Sequence, residues 1–176
     1  MHTTKKWSLR HPPCGLSVTP GCNLLVTCWH PNKLLELSAD NGQCVREITL
    51  QSGIEDLQHG VQLTTGQYVV CHGGSWNLDR VCIVDDDGRV TRSYGGQEGS
   101  DVGQLDWPCH VAVDEDSQFI YVADSRNDRV VLLSPTLEFV RYVSEKLSLP
   151  HRLHLDHTTR RLYVAQYLGN VVVIQL

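Results

Sequence analysis

Ile120-Tyr121-Val122 is one of four short apolar stretches that decide the fold, the others being Leu24-Leu25-Val26, Tyr68-Val69-Val70 and Leu162-Tyr163-Val164. Aligned on Val26, Val70, Val122 and Val164, they recur after 44, 52 and 42 residues. An apolar-polar-apolar run precedes each: Leu16-Ser17-Val18, Val61-Gln62-Leu63, Val111-Ala112-Val113 and Leu153-His154-Leu155, with anchors Leu16, Val61, Val111 and Leu153 spaced by 45, 50 and 42. Short strands repeating with a period in the forties are the sequence mark of β-propeller blades.

The rest of each unit follows from the same anchors. Tight turns such as Thr19-Pro20-Gly21 and Thr65-Gly66-Gln67 separate the first two strands, because Gly and Pro set turn dihedrals at little cost. Third strands read Leu34-Leu35-Glu36-Leu37, Val81-Cys82-Ile83-Val84, Val130-Val131-Leu132-Leu133 and Val171-Val172-Val173-Ile174. More polar outer strands follow in three units, at Val45–Ile48, Val90–Ser93 and Phe139–Tyr142, as an exposed sheet edge requires. The units span about 12–50, 53–95, 104–143 and 149–176, and residues 1–11 form an N-terminal segment in which Lys5-Lys6-Trp7-Ser8-Leu9 is a candidate outer strand. The expectation is an all-β propeller of four blade units. Either the ring is compact and closed by Trp7 to Leu9, or the chain is a partial or truncated propeller, the favoured reading. Self-association of two open arcs is a third.

Composition narrows the class. Apolar residues at 41% and charged residues at 20% suit a soluble globular protein. No apolar run is long enough to span a membrane, and the opening Met-His-Thr-Thr-Lys-Lys-Trp lacks the apolar stretch of a signal peptide. Seven cysteines, an odd number with Cys71 and Cys82 inside strand patterns, point to a reduced, cytoplasmic protein. A net charge of −5 argues against a surface built to hold phosphate backbones.

The third unit carries the most specific phrases, Trp107-Pro108-Cys109-His110-Val111-Ala112-Val113-Asp114 and Ile120-Tyr121-Val122-Ala123-Asp124-Ser125-Arg126-Asn127-Asp128-Arg129-Val130. These resemble the NHL repeat. The fourth unit matches in part, through Leu149-Pro150-His151-Arg152-Leu153 and Leu162-Tyr163-Val164-Ala165, with Gln166 where the pattern has Asp. The resemblance implies an NHL-like propeller, similar to the C-terminal domain of tripartite-motif proteins, where it would select substrates for a ubiquitin ligase or bind RNA. No Cys-x-x-Cys spacing is present, so ligase chemistry cannot lie in these residues. In the same pattern Asp124, Asn127 and Arg129 are framework: Asp124 caps the loop and Arg129 pairs across it.

Loops between second and third strands, with the linkers between blades, should share one face. Trp29, Trp76 and Tyr167 fall in those loops, Trp107 in a linker, and Arg126 at the variable loop position. Large aromatics on a loop face are common interface anchors. These five residues are therefore the candidate binding set, for a protein or peptide partner first. Single-stranded RNA is the alternative, since rings can stack on bases. A second alternative is metal-dependent chemistry. Cys14, His59, Cys109 and His151 each lie two residues before a first-strand anchor. Converging on a channel mouth, they would offer zinc a ligand set, and His59, Cys109 and His151 resemble the arrangement of peptide-amidating lyase propellers. No nucleophile elbow or phosphate-binding loop is present. The preferred reading is a non-catalytic module without a cofactor.

Overall fold

A computed structural model describes residues 4–74 and 78–176. The chain forms four antiparallel sheets in sequence order. Blade one contains β1 (Pro13–Val18), β2 (Leu24–Cys28), β3 (Lys33–Leu37) and β4 (Cys44–Thr49). Blade two contains β5 (Leu57–Gln62), β6 (Tyr68–His72), β7 (Arg80–Val84) and β8 (Val90–Gly95). Blade three contains β9 (Pro108–Val113), β10 (Ile120–Asp124), β11 (Arg129–Leu133) and β12 (Phe139–Glu145). Blade four has three strands, β13 (Pro150–Asp156), β14 (Arg161–Gln166) and β15 (Val171–Gln175). This is the four-bladed, all-β propeller architecture the repeat predicts.

The middle strands are the most apolar because both of their faces are covered. Leu25, Leu34 and Ile48 of blade one pack on Leu57, Tyr68, Val70 and Cys82 of blade two. Val69, Cys71 and Val81 on the other side of blade two meet Val111, Val122 and Val131 of blade three. Tyr121, Ala123 and Val130 in turn meet Leu153, Leu162 and Val164 of blade four. At about 25 cal/mol per Å² of buried apolar surface, these three interfaces are the main source of stability.

The first strands form the inner wall, with packing that runs β1, β5, β9, β13. Among the described residues β13 and β1 share no packing as extensive as that between these neighbours. Residues 4–12 join no sheet. Trp7 and Leu9 instead line a hollow with Leu16, Leu24, Val26 and Leu37 on the outer face of blade one, and Lys5 Nζ donates to the Asp40 carbonyl. The Trp7 ring lies where a side chain on Gly42 would stand. The candidate outer strand is thus a cover for blade one, and Trp7 to Leu9 do not close a ring. At the far end, Val171 and Val173 of β15 are 66% and 52% exposed.

Every inner strand carries a β-bulge at the same place. The register shifts between Pro13 and Gly15, between Leu57 and His59, opposite Ala123 and Asp124 in blade three, and between Pro150 and Arg152. Beyond the bulge, Leu16, Gly60, Val111 and Leu153 pair with Val26, Val70, Val122 and Val164. The structural counterpart of Leu16 in blade two is therefore Gly60, one residue before Val61.

Candidate functional site

The loops between second and third strands emerge together at the start of the inner strands, and each is latched to the residue entering its own blade. The amides of Trp29, Gly73, Ser125 and Tyr167 donate to the carbonyls of Pro12, Asp56, Trp107 and Leu149, at 3.4, 3.3, 3.2 and 3.0 Å. Three of those entry residues, Asp56, Trp107 and Leu149, hold left-handed backbone at φ 51°, 55° and 47°. That conformation is uncommon outside glycine. Here it turns the linker into the inner strand.

Trp107 is fixed from both sides. Its amide donates to Asp79 Oδ1 at 3.1 Å, and its carbonyl accepts from Ser125. Gly74, at φ 117°, lies against the indole, where a Cβ would stand 3.0 Å from Cδ1. The Arg126 guanidinium sits 5.2 Å from the ring centroid, a cation–π distance. The His151 ring is 6.0 Å from the indole, and Tyr167 meets His151 edge-on at 5.8 Å. Arg126, Trp107, His151 and Tyr167 thus form one continuous row across blades three and four. Tyr167 is 64% exposed, and the Arg126 guanidinium, besides facing the indole, pairs with Asp106 at 3.5 Å. The row has surface available for a ligand.

Of the residues singled out in the sequence, the structure brings together Trp107, Arg126 and Tyr167. His151 is the link between them; in the sequence it belongs only to the second alternative, the candidate zinc set. Trp29 stands apart on blade one, where its Nε1–H donates to Asp56 Oδ1 at 3.0 Å and its ring stacks on His30 at 5.0 Å. Trp76 lies outside the described residues. Charges around the row are mixed: Arg126 stands near Asp106, and Asp79 lies beneath Trp107. Burial, opposed by the Trp107 N–H but joined by the charges of Asp106 and Glu98, pushes the Asp79 carboxyl up to about 6.

In the third loop Arg129 pairs with Asp124 as the framework reading expects, whereas the Asp124 side chain does not cap the short helical turn that follows it but binds side chains and the Asp106 amide. Arg129 Nε donates to Asp124 Oδ2 at 2.7 Å, and Asn127 Nδ2 to the same oxygen at 2.9 Å. Asp124 Oδ1 accepts from the Asp106 amide at 2.7 Å. Arg129 also reaches the carbonyls of Ser100 and Gln104 and lies over the Tyr142 ring at 4.5 Å. These side chains are consumed in holding the loop.

The zinc set does not assemble. Among the described residues no three His, Cys, Asp or Glu side chains converge as metal ligands. The bulge explains why: Cys14, Cys109 and His151 occupy the bulged position, whereas His59 aligns with Gly15, His110 and Arg152. Cys14 Sγ donates to the Leu57 carbonyl at 3.1 Å, and Cys109 Sγ to that of Pro150 at 3.3 Å. Burial pushes the Cys109 thiol up to about 11, so it is a protonated donor. His59 stacks on His110 at 3.7 Å and bonds the Leu16 carbonyl through Nε2. Burial lowers His59 to about 4, leaving a neutral ring. Thiols and imidazoles here join neighbouring blades.

No protein-family model matches the chain, and no curated protein matches it. Solved structures match in fold. Hydrazine synthase of Kuenenia stuttgartiensis aligns over 99% of this chain and 49% of its own, at 16% identity and a TM-score of 0.70. A chain of the nidogen/laminin complex aligns over 93% of this chain and 60% of its own, at 16% identity and 0.74. Virginiamycin B lyase from Staphylococcus aureus aligns over 98% and 59%, at 11% identity and 0.62. The class is thereby a β-propeller. This chain spans from 49% to 60% of these relatives' lengths. They include enzymes and a protein complex, so function rests on the site.

Proposed function

We propose that this propeller is a non-catalytic recognition module of the NHL type, binding a protein partner across the row of Arg126, Trp107, His151 and Tyr167. Trp29 and, from the sequence, Trp76 complete the candidate set. The observation that carries the reading is the continuity of the row, with an exposed tyrosine at one end and a loosely paired arginine at the other. Aromatic and arginine anchors supply most of the energy at protein interfaces. Single-stranded RNA is the second reading, supported by the same rings. The net charge of −5 and the carboxylates of Asp79 and Asp106 near Trp107 weigh against it. In a tripartite-motif ubiquitin ligase such a module would be the substrate-selecting end. Seven free thiols suit a reducing, cytoplasmic setting. The exposed valines of β15 favour self-association of arcs as a companion behaviour.

The test is selection of a random-peptide library on the purified chain, followed by affinity measurement of the enriched peptides. Trp107→Ala and Tyr167→Ala should each weaken them about tenfold or more, as loss of an anchor does. Peptides that bind both variants as tightly as the parent would place the site elsewhere. A uridine-rich RNA oligomer, run in parallel, should not bind; salt-sensitive RNA binding lost in Trp107→Ala would replace the protein reading.

A further inference from the structure

Three linkers carry the fourth strand of one blade into the first strand of the next: β4 leads to β5, β8 to β9 and β12 to β13. Residues 4–12 stand in the corresponding place ahead of β1, and blade four is the blade that lacks a fourth strand. Its third strand differs from the others accordingly. β3, β7 and β11 pair on both edges, whereas β15 pairs with β14 alone among the described residues. An unpaired edge is a template for an added strand.

Two blade faces are uncovered as well. On blade four, Val173 pairs with Tyr163 and Val171 with Ala165, on the side turned away from blade three. On blade one, Leu16 and Val18 pair with Val26 and Leu24, on the side turned away from blade two, and are 61% and 63% exposed. Within the chain each blade lays its later face on the earlier face of the next. Blade four has a free later face and blade one a free earlier face, so the same contact can run on from one copy to another.

The segment ahead of β1 is only lightly tied down. Among the described residues no backbone group of residues 4–11 is hydrogen-bonded, and the segment is held by the Lys5 contact with Asp40 and by the packing of Trp7 and Leu9. It lies on the face that a preceding blade would cover. Moving it aside frees a strand and bares that apolar face in one step. Residues 4–9 equal the six-residue β4 and β8 in length, and residues 10–12 then reach Pro13 much as residues 146–149 join β12 to β13. Trp7 between Lys6 and Ser8 repeats the make-up of β8, in which Tyr94 is the buried side chain.

We infer that a second copy of this chain docks head to tail, its residues 4–9 pairing with β15 as the fourth strand of blade four and its blade one packing on the uncovered face. This rests on the self-association read above from the exposed valines, and fixes which surfaces meet. Exchanging an element between copies is a low-cost route to assembly, and a heterologous contact of this kind closes into a ring or continues as a chain.

The experiment is sedimentation of the intact chain under reducing conditions. At about 100 µM, above the micromolar dissociation constants of the weaker standard-size interfaces, the mass should be a multiple of 19.8 kDa. Amide hydrogen exchange should show residues 4–9 and β15 gaining protection together as concentration rises. Val173→Lys places a charge on the acceptor, while Lys5→Pro combined with Ser8→Pro removes an amide from each edge of the donor, all at exposed positions. Each variant alone should stay at 19.8 kDa. Mixed in equal amounts they should form a dimer and nothing larger, because one intact donor meets one intact acceptor. A parent chain that stays monomeric would overturn both the inference and the self-association reading. A proline variant that assembles as the parent does would overturn the inference alone, since the arcs would then meet by another route, such as β15 against β15.

Discussion

The loops of blades three and four occupy the same place on the same backbone and are held in opposite ways. In blade three, Asp124 and Arg129 are buried and tie the loop to the long linker from blade two. In blade four, Gln166 stands where Asp124 does, and the position of Arg129 carries no cation. Tyr167 and Leu168 are left 64% and 70% exposed. A buried ion pair is expensive to desolvate, and its return here is a loop with one geometry. The loop without it is free to display its side chains. Rigidity in blade three and display in blade four meet at Trp107, whose backbone belongs to the first and whose ring touches the second.

The largest expected effect breaks the clasp. Arg129→Leu leaves Asp124 buried and unpaired, and should lower stability by about 3–5 kcal/mol in urea unfolding. Gln166→Ala in blade four should change it by less than about 0.5–1 kcal/mol. Equal losses would mean that the two loops are anchored alike. The next contrast pairs Val130, fully buried, with its counterpart Val171, which is 66% exposed. Val130→Ala should lower stability by about 1.5–3 kcal/mol, whereas Val171→Ala should stay within about 0.5 kcal/mol in the same assay.

A smaller effect depends on pH. The Asp79 carboxyl is raised by burial to about 6, so the folded state holds its proton more tightly than the unfolded chain. That contribution to stability is complete below the unfolded value near 3.8 and is lost as pH rises through about 6. Asp79→Asn should therefore stabilise the chain by about 1–2 kcal/mol at pH 7.5, with the gain fading as pH falls toward 4. Thermal melts at several pH values would read it. A gain independent of pH would show that the ionised carboxylate is not what strains this position.

The architecture was legible because the middle strands are covered on both faces, so their apolar runs stand out from the turns. The Asp124–Arg129 clasp was legible through its likeness to a repeat pattern. The alignment of the second unit was not. A bulge adds a residue without disturbing the apolar pattern, and Val61 offered an anchor as plausible as Gly60. That one-residue slip made Cys14, His59, Cys109 and His151 look equivalent. The role of His151 was also hidden, because its contacts with Trp107 and Tyr167 cross between blades and leave no periodic trace. The N-terminal segment alternates well enough to pass for a strand, yet it is spent covering blade one.

The bulged position has an architectural consequence. In blades one and three a small thiol fills it and reaches the opening residue of the next blade. It behaves like the wedge stone of an arch, whose thickness sets how sharply the structure curves. A bulkier residue pointing the same way at Cys14 or Cys109 would press on the neighbouring blade, whereas the Gln58 side chain at this position in blade two turns to the carbonyls of Asp56 and Gly73. In blade four the same stone is His151, and its half-buried ring leans on Trp107 and Tyr167 instead.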